Sequence, residues 1–504
     1  MSPLLKPDGI ARLREALTAA DYTSAGIADR LGPAATETLR RNDFRAAIRR
    51  TSGGDPLDTL IRLFVCGQTE PVGAVERALA PVSLEQAVDA GLIELGAGGL
   101  RAGLELEPYG DWWVLADLSA GMRPGQPLSA DHVLGIGGAS TTLAAATVRA
   151  PVGTALDLGT GCGVQALHLS THADRVTATD LSERALRFAA TTAALNGLDW
   201  ELLAGDLAAP VAGRRFDLVV SNPPFVAGPG TTTHTYRDSG RSGDAVCAEL
   251  VAAAPGLLAE GGTMQFLANW LHLAGQDWQD RVAGWLAGTG LDAWVIQREV
   301  SDPVSYVNLW LADAAADPAA QPALAAAWLD WFDANHVTGI GLGLVTLRAA
   351  GHDDPTVRLD DLRQTLDEPL GALVPAWFDR QDWLRAHSAA EILAAPLRTA
   401  DGLQLRQEAT RDSAGTWQVD RQLLALTGGA RWVEEIDPVI LALVSGCDGV
   451  VPLRDQLDLL AAAHDVDTDT LAEVAVPVVA HLVERGILLP AAHPAPQPPT
   501  RPGT

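Results

Sequence analysis

The sequence predicts an α/β fold in which helices cover both faces of a parallel sheet, with a smaller domain on either side. Three observations predict this fold class. Apolar runs with strand periodicity alternate with helix-period segments between residues 154 and 350. A glycine-rich turn, Asp157–Gly163, directly follows the first strand. Polar residues or glycines end four consecutive strands, which is where open parallel sheets bind ligands.

Length and charge narrow the classes of protein that fit. A chain of 504 residues is too long for one core and predicts two to four domains. Its formal charge of −27 opposes binding to polyanions unless a local basic patch reverses the field. The four cysteines are far apart, so no zinc site, other metal site or disulfide framework is expected. Because we find neither a membrane-spanning apolar run nor a signal peptide pattern, we expect a cytoplasmic protein without membrane contact.

Residues 1–116 are expected to form a helical, winged-helix-like domain. Helices are predicted at 7–20, 24–31, 36–50, 56–66 and 71–79, and short strands at 91–95, 100–106 and 112–116. The helix at 36–50 carries the most basic surface of the chain, formed by Arg40, Arg41, Arg45, Arg49 and Arg50. This surface fits either a solvated face paired with acidic neighbours or a contact with a phosphate-bearing or acidic partner.

The central domain is expected over residues 117–350. The segment 117–150, which precedes the first predicted strand, contains the run Gly137–Thr142. This run can cap a helix through Ser140 or Thr141, or it can form one wall of a pocket. Strands are predicted at 155–158, 175–180, 200–204, 216–221, 263–268, 293–300 and 337–347. Helices are predicted at 163–172, 182–195, 244–259 and 277–287, with a helical insertion carrying Trp328 and Trp331 before the last strand.

Residues 356–490 are expected to form a C-terminal α+β domain, again winged-helix-like at its end. Helices are predicted at 438–444, 453–463 and 469–484, followed by a strand that ends at Pro490. The proline-rich tail 491–504 is expected to be disordered.

The glycine turn and the second strand together indicate a nucleotide site. Asp180 follows Asp157 by 23 residues at the end of the second strand, where an acidic side chain can accept both ribose hydroxyls. A dinucleotide fingerprint needs a third glycine at position 164, which is valine. The observed spacing is D-x-G-x-G-x-G, and Asp206 and the segment Asn222–Phe225 follow the third and fourth strands.

These motifs carry a resemblance to a known family. Residues 130–350 resemble the class I S-adenosylmethionine-dependent methyltransferases. The segments Asp157–Gly163 and Ser221–Phe225 are similar to the subset that methylates adenine N6, guanine N2 or glutamine amide nitrogen. The resemblance implies a seven-stranded, Rossmann-like sheet with S-adenosylmethionine over the first two strand ends and S-adenosylhomocysteine as product.

The resemblance also implies roles for individual residues. The residues implied to bind the cofactor are Asp157, Gly159, Thr160, Gly161, Cys162, Gly163, Asp180, Leu181, Asp206, Leu207 and Asn222. Those implied to act in catalysis are Asn222 and Pro223, and the candidate acceptor contacts are Pro224, Phe225, Tyr236, Arg237 and Asp238. The last three lie in a glycine-rich loop, 228–244, that fits a mobile lid or plain disorder.

The Asn-Pro-Pro-Phe segment suits transfer to a nitrogen whose lone pair is delocalised. If the Asn222 side-chain oxygen and the Pro223 carbonyl accept both N–H hydrogens, the lone pair is freed and aimed, and catalysis is mostly alignment. Phe225 can stack on a planar acceptor. Cys162 is not expected to be a nucleophile, because no histidine partner is indicated nearby.

The sequence leaves the acceptor open. A nucleobase amine in RNA comes first, because Phe225 and the winged-helix-like flanks favour it and the arginine surface could act locally against the overall charge. A glutamine amide of a protein or an amine of a small metabolite is the alternative. A non-catalytic scaffold that binds proteins through its flanking domains is the second class.

Overall fold

A computed structural model of the chain describes residues 1–39, 41, 43–123, 128–230, 238–313, 319–367 and 369–491. The chain divides into two compact units. The first comprises Met1–Ala144 with Ala150–Asp361, and the second comprises Ala145–Arg149 with Leu362–Thr504. In the described part of the chain, no helix is both long and apolar enough to cross a bilayer.

The first unit begins with six helices and two hairpins. They are α1 Pro7–Ala19, α2 Ser24–Leu39, α3 Arg45–Arg50, α4 Pro56–Leu60, α5 Val72–Leu79, α6 Leu84–Asp89, β1 Ile93–Gly96, β2 Gly99–Ala102, β3 Glu105–Tyr109 and β4 Trp112–Ala116. A π-helical turn, Ile61–Val65, continues α4. Strands β1 and β2 form one two-stranded sheet, and β3 and β4 form another.

The prediction of a single basic helix over 36–50 is wrong. Helix α2 is kinked at Gly32, whose φ is 72°, and ends at Leu39, and α3 begins only at Arg45. Arg41 forms an ion pair with Glu37 at 3.0 Å, and Arg45 forms one with Asp43 at 2.6 Å. Arg40 lies outside the described residues. The described arginines therefore do not form one basic stripe, and two of them are paired with acidic neighbours.

The N-terminal elements pack directly on the central sheet of the same unit. Arg14 of α1 donates from Nε to the carbonyl of Leu195 at 2.8 Å. The Trp113 N–H donates to Asn196 Oδ1 at 3.0 Å, and Asn196 Nδ2 donates back to the Trp113 carbonyl at 2.8 Å. These contacts join residues 1–116 to the helix that ends at Leu195.

The rest of the first unit is a helix-covered sheet. Its strands are β5 Val152–Leu158, β6 Ala173–Asp180, β7 Trp200–Ala204, β8 Phe216–Ser221, β9 Leu258–Leu273, β10 Asp292–Ser301, β11 Val337–Arg348 and β12 Val357–Asp361. Its helices are α7 Gly138–Ala146, α8 Val164–Leu169, α9 Glu183–Leu195, α10 Ala245–Leu257, α11 Trp278–Leu286, α12 Pro303–Asp313 and α13 Gln321–Ala334. Helix α7 continues two residues into the second unit.

The strand order is β12-β10-β11-β9-β8-β5-β6-β7. All seven predicted strands are present, but the sheet has an eighth strand, β12, beyond the predicted end of the domain. The predicted parallel sheet is present in its central strands, but β11 runs antiparallel to both β9 and β10. Strands β7, β6, β5, β8 and β9 are parallel, and the order reverses between β5 and β8, so the site-bearing strand ends meet there.

The described residues from 362 to 491 of the second unit form two three-stranded sheets and five α-helices. Its elements are α14 Leu373–Ala386, α15 Ala389–Ala394, β13 Pro396–Thr399, β14 Leu403–Arg411, β15 Trp417–Leu426, β16 Val433–Glu435, α16 Pro438–Gly446, β17 Asp448–Pro452, α17 Leu453–His464, α18 Thr468–Glu484 and β18 Leu488–Pro490. The sheets have the orders β17-β13-β18 and β14-β15-β16. The three helices and final strand predicted for this region are confirmed, and most of the predicted tail lies outside the described residues.

Candidate functional site

A cavity of about 480 Å³ opens at the carboxyl ends of β5, β6, β7 and β8. Its size lies in the range of small-molecule and cofactor sites. Four predicted segments contribute to its lining, namely Gly159–Cys162, Asp180–Leu181, Asp206–Leu207 and Asn222–Phe225. The structure therefore brings together strand ends that lie up to about 65 residues apart in the sequence.

Asp157 lies beneath the glycine loop and is fully buried. Its Oδ2 accepts hydrogen bonds from Thr160 Oγ1 at 2.6 Å and from the Ala166 N–H at 3.1 Å. Its Oδ1 accepts none from the described residues. Burial raises the pKa of this carboxyl to about 7. Asp157 does not contribute to the cavity lining, so its geometry fits a residue that shapes the loop.

The three glycines of the loop have different surroundings. Gly159 and Gly161 have φ angles of 73° and 56°, and a Cβ at either position would meet no protein atom within 4 Å. Gly163 has φ 94°, and a Cβ there would lie 2.7 Å from Cζ3 of Trp200. The first two glycines therefore leave open space beside the cavity, whereas Gly163 is required by packing and is absent from the cavity lining.

Asp180 is held at the end of β6 by backbone donors. The Gly161 N–H donates to Oδ2 and the Ser182 N–H donates to Oδ1, both at 2.8 Å. Burial raises the pKa of this carboxyl. The Thr179 carbonyl accepts from the N–H groups of Gly159 and Thr160 at 2.9 Å each, so the loop is tied to the neighbouring strand.

Asp206 follows β7 and is bound by an arginine that sequence reasoning missed. Arg241 donates from Nη2 to Asp206 Oδ2 at 2.8 Å and from Nε to Glu249 Oε2 at 2.5 Å. The next residue, Leu207, has a positive φ of 43°, and its carbonyl accepts from Thr179 Oγ1 at 3.0 Å. Arg241 also contributes to the cavity lining, so the segment after the Asn-Pro-Pro-Phe motif reaches across to the third strand end.

Asn222 lies at the end of β8, beside the end of β5. Ser221 Oγ donates to the Leu158 carbonyl at 2.8 Å, which ties the two strand ends together. Asn222 Oδ1 is buried and has no hydrogen-bond donor among the described residues. Pro223, Pro224 and Phe225 continue the cavity wall. Asn222 is therefore a lining residue whose side-chain oxygen has no hydrogen-bond donor in the described part of the chain.

Helix α12 supplies an aromatic side chain to the same end of the cavity. The rings of Phe225 and Trp310 meet edge to face, with centroids 6.2 Å apart. Tyr306, four residues before Trp310, accepts at its hydroxyl from the Ala227 N–H at 2.8 Å and from Asn269 Nδ2 at 2.6 Å. The spacing of four residues places Tyr306 and Trp310 on one face of the helix, and sequence reasoning assigned neither residue to the site.

The remaining predicted residues are placed as follows. Gln165 Nε2 donates to the Ser140 carbonyl at 2.8 Å, and Gly137–Ser140 contributes to the lining, so the pocket-wall alternative for this run is confirmed. Cys162 is buried, and burial raises the pKa of its thiol to about 12, which agrees with the expectation that it is no nucleophile. Tyr236 and Arg237 lie outside the described residues, whereas Asp238 is buried and pairs with Phe225 in a β-bridge.

Comparison with known proteins supports the methyltransferase interpretation. The family model of the methyltransferase small domain matches residues 135–277. Two models described as domains of unknown function match the flanks, DUF7059 at residues 19–103 and DUF7782 at residues 375–490.

Curated relatives match the same central region. Ribosomal RNA small subunit methyltransferase C of Alcanivorax borkumensis is 35% identical over 117 residues, covering 23% of this chain and 32% of that protein. Release factor glutamine methyltransferase of Deinococcus radiodurans is 38% identical over 143 residues, covering 26% and 51%. Ribosomal RNA small subunit methyltransferase C of Salmonella arizonae is 32% identical over 166 residues, covering 32% and 44%. The chain thus spans about a third to a half of the length of these relatives.

The sequence motifs, the strand order and the comparisons all support a methyltransferase fold for the central region. The residues that carry the resemblance, Asp157–Gly163 and Ser221–Phe225, fall inside the matched segment. Residues 135–277 match the methyltransferase small domain, and the resemblance to class I S-adenosylmethionine-dependent N-methyltransferases with an Asn-Pro-Pro-Phe motif is confirmed.

Proposed function

We propose that the protein transfers a methyl group from S-adenosylmethionine to the nitrogen of a planar amine or amide held at Asn222. The observation that carries this proposal is the buried Oδ1 of Asn222, a residue that lines the cavity and whose Oδ1 has no donor among the described residues. A buried acceptor without a partner costs free energy unless a ligand supplies the hydrogen bond. An N–H of the methyl acceptor is such a donor.

The residues of the cavity fit the cofactor. Gly159 and Gly161 leave the backbone open to close approach, because neither has a side chain and the space beside each is free of protein atoms. Each Asp180 oxygen accepts one backbone hydrogen bond and retains a lone pair for a ribose hydroxyl. Asp206 and Leu207 would flank the base. When bound, S-adenosylmethionine supplies an electrophilic methyl group on a sulfonium.

The residues around Asn222 align the nucleophile. Asn222 Oδ1 and the Pro223 carbonyl would accept the two hydrogens of the acceptor nitrogen and direct its lone pair into the cavity. Phe225 and Trp310 form an aromatic wall at this end, which excludes water and suits a planar group. Catalysis then depends on alignment and charge placement rather than on a strong base.

The charges at the cavity favour a neutral acceptor, such as a glutamine amide in a protein. Among the described lining residues, Asp180, Asp206 and Asp238 are acidic, and the arginine, Arg241, is engaged with Asp206 and Glu249. A nucleic acid would need cations that are not already paired.

An amine of an RNA base is the second candidate. Phe225 of the motif favours it, and two of the relatives described above are named as ribosomal RNA methyltransferases. The arginine-rich segment 40–50, which supported an RNA acceptor in the sequence, gives weaker support in the structure. It does not form one helix, and Arg41 and Arg45 are paired with acidic residues.

A labelling experiment with two acceptor fractions tests both proposals. The protein is incubated with methyl-labelled S-adenosylmethionine and, separately, with a cell extract depleted of RNA and with purified ribosomal RNA. We expect label in a protein as methylglutamine. Label in RNA alone would overturn the amide acceptor but keep the N-methyltransferase. Failure to bind S-adenosylhomocysteine in calorimetry would overturn the enzyme proposal and leave the non-catalytic scaffold.

A further inference from the structure

Strands β14 and β15 of the second unit form a ribbon that is exposed on both faces. Every residue of 404–411 is exposed, as are residues 417–421 of the partner strand. A two-stranded ribbon without a packed layer is at best marginally stable in water, because it buries little apolar surface. The ribbon therefore gains stability if another surface covers it.

One face of the ribbon carries exposed apolar side chains. Ala409 pairs with Val419 and Arg411 with Trp417, so these residues share a face with Leu405 through the two-residue period of a strand. Leu405 is 45% exposed, Val419 49% and Trp417 67%. Three large apolar residues exposed on one face mark an interaction surface.

The outer edge of the ribbon is also available. The sheet order is β14-β15-β16, so β14 is an edge strand, and one side of its backbone has no strand partner among the described residues. An edge of this kind accepts another strand through main-chain hydrogen bonds. At nine residues, β14 is much longer than the opposite edge strand β16, which has three.

The charges of the ribbon balance. Residues 403–426 contain three arginines and three acidic residues: Arg406, Arg411, Arg421, Glu408, Asp412 and Asp420. The ribbon is thus neutral in a chain with a formal charge of −27. A neutral surface offers no attraction to a polyanion, and it is a place where two acidic chains can meet without local repulsion.

We propose that β14 pairs antiparallel with β14 of a second copy of this chain, about a twofold axis at Gln407. This register places Arg406 opposite the partner subunit's Glu408, and by symmetry Glu408 opposite the partner subunit's Arg406. Arg406 forms no ion pair within the described part of its own chain, and Glu408 has one distant arginine, Arg421, at 3.7 Å. Both residues are exposed.

The neighbouring registers are less favourable. Centring the pair on Arg406 places two arginines opposite each other, and centring it on Glu408 places two glutamates opposite each other, which destabilises antiparallel pairs. In the Gln407 register the next pair, Leu405 with the partner subunit's Ala409, is apolar. The symmetric contact closes on itself and gives a dimer rather than a filament.

Charge reversal tests this pairing with the full-length protein. Sedimentation velocity over a concentration series is run for the wild type, Arg406→Glu, Glu408→Arg and the double variant. A strand-sized contact predicts a weak, concentration-dependent dimer for the wild type. Each single reversal creates like-charge pairs and should raise the dimer Kd at least about tenfold, whereas the double variant should return to within about threefold of wild type.

Arg49→Glu is the matched control, because it makes the same charge change at an exposed helix residue outside the ribbon. It should leave the dimer Kd unchanged. Hydrogen exchange of residues 404–411 should slow with protein concentration in the wild type and not in the single variants. A wild type that stays monomeric throughout overturns the proposal. So does a dimer that tolerates both single reversals, or a double variant as weak as the singles.

Discussion

Replacing Asn222 by alanine should separate catalysis from stability. In the free protein, Asn222 Oδ1 is buried and accepts no hydrogen bond from the described residues. Alanine removes this unsatisfied acceptor, whose burial costs about 1–3 kcal/mol. We therefore expect the free energy of unfolding of Asn222→Ala to equal or exceed that of the wild type.

The same change should strongly reduce turnover. Loss of one preorganised hydrogen bond at a reacting group typically lowers kcat by about 10²–10³, or about 2.7–4 kcal/mol. Cofactor affinity should change less, because the cofactor is proposed to rest mainly on Asp180 and the glycine loop. The assays are label transfer to the acceptor found in the two-fraction experiment, calorimetry with S-adenosylhomocysteine, and urea unfolding.

Asn196→Ala is the matched control. Asn196 accepts from the Trp113 N–H at 3.0 Å and donates to the carbonyls of Trp113 at 2.8 Å and Thr192 at 2.7 Å. Its loss should cost about 2–3 kcal/mol of stability while the folded fraction keeps its kcat. The reasoning would be refuted if Asn222→Ala destabilised the protein as much as Asn196→Ala, or if it lowered kcat and cofactor affinity by equal factors.

Three further predictions concern the glycine loop and the buried carboxyl of Asp157. Gly163→Ala should destabilise the protein by about 1–3 kcal/mol, seen as a lower urea midpoint, because its Cβ would overlap Trp200. At Gly161, a Cβ faces open space and only the positive φ of 56° opposes it, so Gly161→Ala should cost about 1 kcal/mol of stability and mainly weaken S-adenosylhomocysteine binding in calorimetry. A larger stability loss than for Gly163→Ala would contradict this. The pKa of Asp157 is raised from 3.8 to about 7 in the folded protein. Between these pH values the folded state holds a proton on Asp157 that the unfolded state has lost. The free energy of unfolding should therefore fall as the pH rises from about 4 to about 7, by at most about 4 kcal/mol. Asp157→Asn should remove this part of the slope in urea unfolding at several pH values, and an unchanged slope would disprove the assignment.

The amino-acid pattern alone predicted the elements of the central domain closely. Strands β7 and β8 have the predicted bounds. The helix predicted over 182–195 is α9, and Ser182 caps it by accepting from the Ala185 N–H at 3.2 Å. Periodicity and capping depend on residues within a few positions of one another, so they can be read along the chain. The wrong helix over 36–50 shows the limit of this information, because the structure has two helices there, one ending at Leu39 and one beginning at Arg45.

The placement of side chains between distant segments was decided only by the tertiary structure. Arg241 reaches Asp206 across the ends of β5 and β6, which the strand order places between β8 and β7. Trp310 contacts Phe225 from α12, a helix that is held in place through Tyr306. Asp157 was expected to contact the cofactor, but in the structure it is buried beneath the glycine loop and does not line the cavity.

The sequence by itself determined the α/β fold class, the order of the strands along the chain and the motifs that indicate the methyl donor and a nitrogen acceptor. These depend on local periodicity and on residue types at strand ends. The tertiary structure decided the eighth strand, the aromatic wall at Trp310, the unsatisfied oxygen of Asn222 and the exposed edge of β14. Those features depend on sheet order and burial, which arise only when segments far apart in the chain pack together.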